Sequence, residues 1–189
     1  MFLALLSLAF FYPLISGKVI VQSDIQQFQG MQRQVLEHRA DYDEEPYWAD
    51  NAFGGMPTYQ ITSTYPYDFI GTIDKLIRFL PRPADYLFVY LLSFYLLTLY
   101  FTPKFQIAIA GAIAFGFSTY FLIILGVGHN TKALAIGYMP LIVLGVAHVF
   151  SNKRILGFYI LTLAMALQIH ANHYQMTYYL LILVGLMVL

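Results

Sequence analysis

The chain has no cysteine among its 189 residues, which removes disulfides, thiolate nucleophiles and cysteine-ligated metals from consideration. Charge is scarce too: 11% of residues are Asp, Glu, Lys or Arg, against about 25% in an ordinary soluble domain. The ten basic and ten acidic residues cancel, so no global basic field exists to follow a phosphate backbone, and nucleic acid is not an expected partner. Acids are also missing from more than half the sequence. They are Asp24, Glu37, Asp41, Asp43, Glu44, Glu45, Asp50, Asp68, Asp74 and Asp85, with none after Asp85. Any chemistry that needs a carboxylate must draw it from that early stretch. What fills the rest is apolar: 59% of the residues are hydrophobic, a membrane composition.

A span needs about 20 mostly apolar residues to cross the hydrocarbon. The sequence predicts an all-α, polytopic transmembrane bundle with spans at about 1–16, 84–102, 105–127, 133–150, 155–171 and 176–189, and one long polar loop at 17–83. The short connectors around Pro103 and at 151–154 carry Lys104, Lys153 and Arg154, whereas the connector at 128–132 carries Lys132 alone. That basic excess places the first pair in the cytoplasm and the amino terminus with them. The long loop and the turns "GHNTK" and "HANHYQ" then share the outer face. The final run stops at Leu189 and the first begins at Met1 without a basic flank, so the chain reads as the amino-terminal piece of a longer protein. A cleaved signal peptide over 1–17 is the alternative, although its positive start is missing.

Within the loop, Ile25, Phe28, Met31, Val35 and Leu36 fall near one helical face, and Ile70, Ile73, Ile77 and Leu80 repeat the pattern against Asp74, Lys75 and Arg78. Both segments are expected to lie on the membrane surface as amphipathic helices. Between them runs "EEPYWADNAFGGMPTYQ", Glu44 to Gln60, in which Gly54 and Gly55 admit backbone shapes closed to other residues and Pro57 fixes a bend. Trp48 and Tyr59 are read either as headgroup anchors or as a platform for a sugar ring or lipid tail.

Three more polar features gather on the predicted outer face. Asp24 follows the first span; it is read as a helix cap, together with Ser23, or as a general base for a hydroxyl. His129, Asn130 and Lys132 offer a charge and donors to a phosphate. His170 and His173 lie three apart, on one helical face, with Gln175 beyond; without a carboxylate nearby in sequence they do not make a case for a metal.

The phrases "GKVIVQSDIQQFQGM", "EEPYWADNAFGGMPTYQ", "GVGHNTKALAIGYMPL" and "QIHANHYQMTYYL" together resemble the amino-terminal part of the YfhO-like bacterial membrane proteins, placed in the GT-C glycosyltransferase superfamily. The resemblance runs from Ser16 onward. It implies a multi-pass enzyme of the cytoplasmic (inner) membrane that moves a sugar from a polyprenyl-phosphate carrier to an envelope glycan or lipid acceptor on the outer face; no cofactor is expected, and the residues do not support a divalent metal. It also implies a catalytic acid in the first outer loop, which matches Asp24, and a second functional carboxylate matching Glu44 or Glu45. A transporter or flippase for lipid-linked saccharides, or an assembly subunit, remains the competing expectation. A transporter is marked by ionisable residues at mid-span or by broken helices.

Overall fold

The computed structural model describes residues 1–62 and 64–189; Ser63, in the predicted outer loop, lies outside them. In chain order the helices are α1 (Phe2–Phe10), α2 (Ser23–Tyr42), α3 (Phe69–Ile77), α4 (Ala84–Phe101), α5 (Phe105–Gly116), α6 (Thr119–Val127), α7 (Asn130–Val149), α8 (Arg154–His170) and α9 (Tyr174–Val188). A two-residue antiparallel pair, β1 (Trp48–Ala49) with β2 (Met56–Pro57), is the sheet among the described residues. The protein is therefore helical, and it divides into two compact units: residues 1–20 with 69–189, and residues 21–68.

Among the described residues, α4 and α7 are long and apolar enough to cross a membrane, with mean hydropathies of 1.5 and 1.6. Proline and glycine mark their limits. Pro83 precedes α4, Thr102 closes it before Pro103, and Gly128, with φ of 97°, turns the chain into α7. The stretch expected as one span at 105–127 is two helices whose axes meet at 52°. The break falls at Phe117 and Ser118, where the Phe117 and Ser118 amides still reach the Ile113 and Phe115 carbonyls. The stretch 1–16 also differs from expectation. Its helix ends at Phe10, a 3-10 turn follows at Tyr12–Leu14 around Pro13, and nine residues rise only about 14 Å. α8 and α9 are apolar helices of 17 and 15 residues.

In the larger unit, α4 and α7 run parallel. Near their starts, Gly137 faces Val89 and Tyr90; near their ends, the Tyr100 hydroxyl donates to the Ala147 carbonyl at 3.1 Å. α8 returns antiparallel along α7, and here two glycines let backbones touch. A Cβ at Gly145 would stand 2.8 Å from Leu161 Cα, and one at Gly157 would stand 2.5 Å from Val149 N. Lipid tails are as apolar as leucine, so close van der Waals packing of this kind is a main source of helix association in a bilayer. The core is built on α4, whose Leu87, Tyr90 and Leu91 pack with Ala112, Leu125 and Ala133. These contacts fix where the helix ends, and hence the polar side chains, are held.

The smaller unit is α2 plus a loop laced to it. Gln34 Oε1 accepts from the Asp50 and Asn51 amides at 2.9 and 3.1 Å, and Asn51 Nδ2 donates to the Gly30 and Met31 carbonyls. Arg39 holds the other end, donating from Nε to Glu45 at 2.7 Å and from Nη2 to the Thr62 carbonyl. Val35, Ala49 and Ala52 are its buried apolar side chains, while Leu36, expected on the same face, is exposed.

Candidate functional site

Because α4 and α7 are parallel and α8 is antiparallel to them, the start of α7, the end of α8 and the start of α9 share one end of the bundle with the start of α4. His129 occupies the cap position of α7, Asn130 is its first residue, and Lys132 Nζ sits over the Tyr120 ring at 5.2 Å. His173 caps α9: its Nδ1 accepts from the Met176 amide at 3.3 Å, and the Thr177 hydroxyl donates to its carbonyl. Burial pushes the His173 imidazole below its ordinary value, and the positive charges of Lys132 and His129 push the same way against a backbone hydrogen bond. The two turns that sequence reading singled out thus lie at one end of the bundle, at the starts of α7 and α9.

Two amide oxygens of this polar end are left over. Asn130 Oδ1 and Gln168 Oε1 are buried and have no partner among the described residues, although Gln168 Nε2 donates to Thr177 at 3.3 Å. Gln168 is fully buried. The histidine pair needs correction. α8 stops at His170 and the chain reverses through Asn172, whose φ is 54°, so His170 and His173 do not share a helical face. Gln175 is exposed and donates to the Tyr179 hydroxyl at 2.9 Å. No group of three or more metal-ligating side chains gathers among the described residues.

The other predicted residues belong to the smaller unit. Asp24 lies in the first turn of α2, half-buried, where its charge complements the helix dipole. The cap position is Gln22, without a side-chain capping bond, so neither Ser23 nor Asp24 is the cap. Glu44 is exposed. Glu45 is committed to Arg39, whose hydrogen bond and charge hold its carboxyl below the usual range, with Thr64 adding a bond at 3.2 Å. Gly54 and Gly55 have φ of 79° and 115°, and the turn closes from Gly55 N to the Ala52 carbonyl. A Cβ at Gly55 would stand 2.7 Å from Trp48 Nε1, so this glycine is the floor on which the indole lies. Trp48 and Tyr59 both remain exposed, at 55% and 46%.

Sequence reading missed the most buried charges of the molecule. Asp74 and Arg78 were expected on the outward face of α3. Asp74 is instead 2% exposed and Asp85 1%. Arg78 bridges them, donating from Nε to Asp74 at 2.9 Å and from Nη1 to Asp85 at 2.8 Å, with a second bond to Asp74 from Nη2. The Tyr138 hydroxyl of α7 donates to the other Asp74 oxygen. Arg82 approaches Asp85 at 4.0 Å, and both guanidinium groups stand over the Tyr86 ring at 5.3 and 5.6 Å. Burial works to lower the Arg78 pKa, but the Asp74 hydrogen bond and the surrounding negative charge outweigh it and raise the value. A signal existed in the i,i+4 spacing of Asp74 and Arg78 and in the proline-rich turn that doubles the chain back before Asp85.

The end of the bundle thus offers two chemistries side by side. One is a closed, charge-neutralised knot that ties α3 to α4 and α7. The other is a set of cations, imidazoles and amides without a carboxylate in its own turns. Compared with protein families, with curated proteins and with solved structures, the chain matches none.

Proposed function

We propose that the protein is a GT-C-type glycosyltransferase of the YfhO-like kind, multi-pass in the bacterial cytoplasmic membrane with its amino terminus inside, taking a sugar from a polyprenyl phosphate at the outer face. The observation that carries this reading is that the turn of His129 and Lys132 and the turn of His173 lie at one end of an apolar bundle, at the starts of α7 and α9. Cations and N–H donors whose own turns carry no acid suit a phosphate, and their place at the end of apolar helices suits one attached to a lipid tail. In the transfer, the acceptor hydroxyl oxygen attacks the anomeric carbon. The carbon–oxygen bond to phosphate breaks, its electron pair leaves with the polyprenyl phosphate, and the hydroxyl proton passes to a carboxylate, the role the resemblance gives to Asp24.

Asp24→Asn separates chemistry from structure. Losing the first-turn charge costs only about 0.3–1 kcal/mol of helix-dipole interaction, so membrane level should survive, while loss of a general base lowers transfer by about 10²–10⁴. Transfer within a few-fold of wild type would remove Asp24 from the mechanism and turn attention to Glu44.

One observation favours the second reading, a flippase or transporter of a lipid-linked saccharide: the break between α5 and α6, since interrupted helices line many transport sites. Under that reading, vesicles carrying the protein move labelled lipid-linked sugar across the bilayer and form no glycosylated product, with or without Asp24.

A further inference from the structure

The opposite end of the bundle carries a cavity that neither reading uses. It measures about 580 Å³ and lies where the second half of α4 meets the end of α7 and the start of α8. Its apolar wall is leucine: Leu96 and Leu99 from α4, Leu144 from α7 and Leu156 from α8. Its rim is the α7–α8 connector, with Asn152 and Lys153, both exposed. His148 also lines it, edge-on to Tyr100 at 4.7 Å, and its Nδ1 is buried without a partner among the described residues.

We propose that this groove binds an anionic phospholipid, with an acyl chain along the leucine wall and the headgroup phosphate at Lys153. Three observations favour this occupant. The groove has a wall of four leucines and a lysine at its mouth, the polarity of a lipid seen from its tail. Within the helical unit, this end has cations and no acid. Lys153 and Arg154 are in the connector and Lys104 in the neighbouring one, whereas Asp74 and Asp85 are tied up at the other end. Within that unit, a phosphate there faces no competing carboxylate. Finally, the rim is the end of two apolar helices, which is where a bilayer puts its headgroups, and a lysine stem can lie along apolar surface while its ammonium stays at that level.

The test is native mass spectrometry of the purified full chain, released from bilayers of dioleoyl phosphatidylglycerol mixed equally with dioleoyl phosphatidylcholine. Wild type should retain phosphatidylglycerol in preference. Lys153→Gln should reduce that preference about fivefold, the factor expected when one basic residue near an anionic surface is lost. Leu156→Trp, at a side chain 46% exposed, should fill the groove and lower retention of both lipids while helix content stays unchanged. Equal retention of the two lipids by wild type would overturn the proposal, as would retention indifferent to both substitutions. Displacement by millimolar inorganic phosphate alone would make this a free-anion site. Loss of a wild-type dimer in Leu156→Trp, with no lipid retained by either protein, would make it an interface between copies. Either result also overturns the proposal.

Discussion

Replacing Arg78 by alanine is the sharpest perturbation the fold allows. The Arg78 side chain is 9% exposed, and it alone bridges Asp74 and Asp85, whose side chains are each 2% exposed. Its loss leaves two buried carboxylates facing each other across an empty place, with the Tyr138 hydroxyl on Asp74 and a distant Arg82 on Asp85. Breaking a buried pair by removing one partner costs about 3–5 kcal/mol, and here one partner serves two acids. Lys at this position keeps the charge but not the fork, so Arg78→Lys should fall between wild type and alanine. The triple change Asp74→Asn, Arg78→Met, Asp85→Asn removes the charges together and should recover much of the loss, because replacing a whole buried ionic group is often close to neutral. The assay is reversible unfolding of the purified chain in mixed micelles, followed by helical circular dichroism. An Arg78→Ala protein within about 1 kcal/mol of wild type, the worth of a surface pair, would show that water reaches these carboxylates and refute the buried knot.

Gly157→Ala pushes a methyl to 2.5 Å from Val149 N; overpacking of this kind costs about 1–3 kcal/mol, and an unchanged unfolding midpoint would mean that α7 and α8 part easily. Gly55→Ala strains a backbone with φ of 115° and displaces the indole above it; because Trp48 is the chain's one tryptophan, its emission spectrum should shift, and an unaltered spectrum would contradict the contact. His173 has its folded pKa lowered by burial and by Lys132 and His129, so folding opposes its protonation. Its contribution to stability is full above the unfolded value of about 6.5 and is lost as pH falls through the folded one. His173→Gln should therefore flatten the fall in stability on acidification, and an identical pH profile in both proteins would remove His173 from that cause.

α4 and α7 were legible because each is an apolar run bounded by proline or glycine, and hydropathy reports little else. The division of 105–127 was not, since Phe117 and Ser118 barely alter the local hydropathy; the break is a matter of backbone path. α3 shows a different limit. Its periodicity grouped Ile70, Ile73 and Ile77 on one face, but that face was expected against the membrane surface and packs instead on Val89, Tyr138 and Leu167. Yet the assumption that charges must face water put Asp74 and Arg78 on the wrong side, because the groups that complete their bonding in the interior, Asp85 and the Tyr138 hydroxyl, come from beyond a proline turn and from α7. For the candidate site, sequence placed the turns of His129–Lys132 and His173 on one outer face and topology brought them together. The commitment of Glu45 to Arg39, and the fully buried Gln168, depend on tertiary contacts that no local pattern displays.

The glycine seam between α7 and α8 has a mechanical consequence. Backbones in direct contact at Gly145 and Gly157 leave no layer of side chains to shear, so the two helices move as one strut. Any compliance of the bundle must then lie elsewhere, and the joint at Phe117 and Ser118 is the natural place, although a pivot of α6 there has to repack Leu125 against Ala133 of the strut. Since Lys132 on the strut rests against Tyr120 on α6, a pivot of α6 would uncover or cover that ammonium. Motion of α6 would thereby be converted into a change of charge exposure at the start of α7.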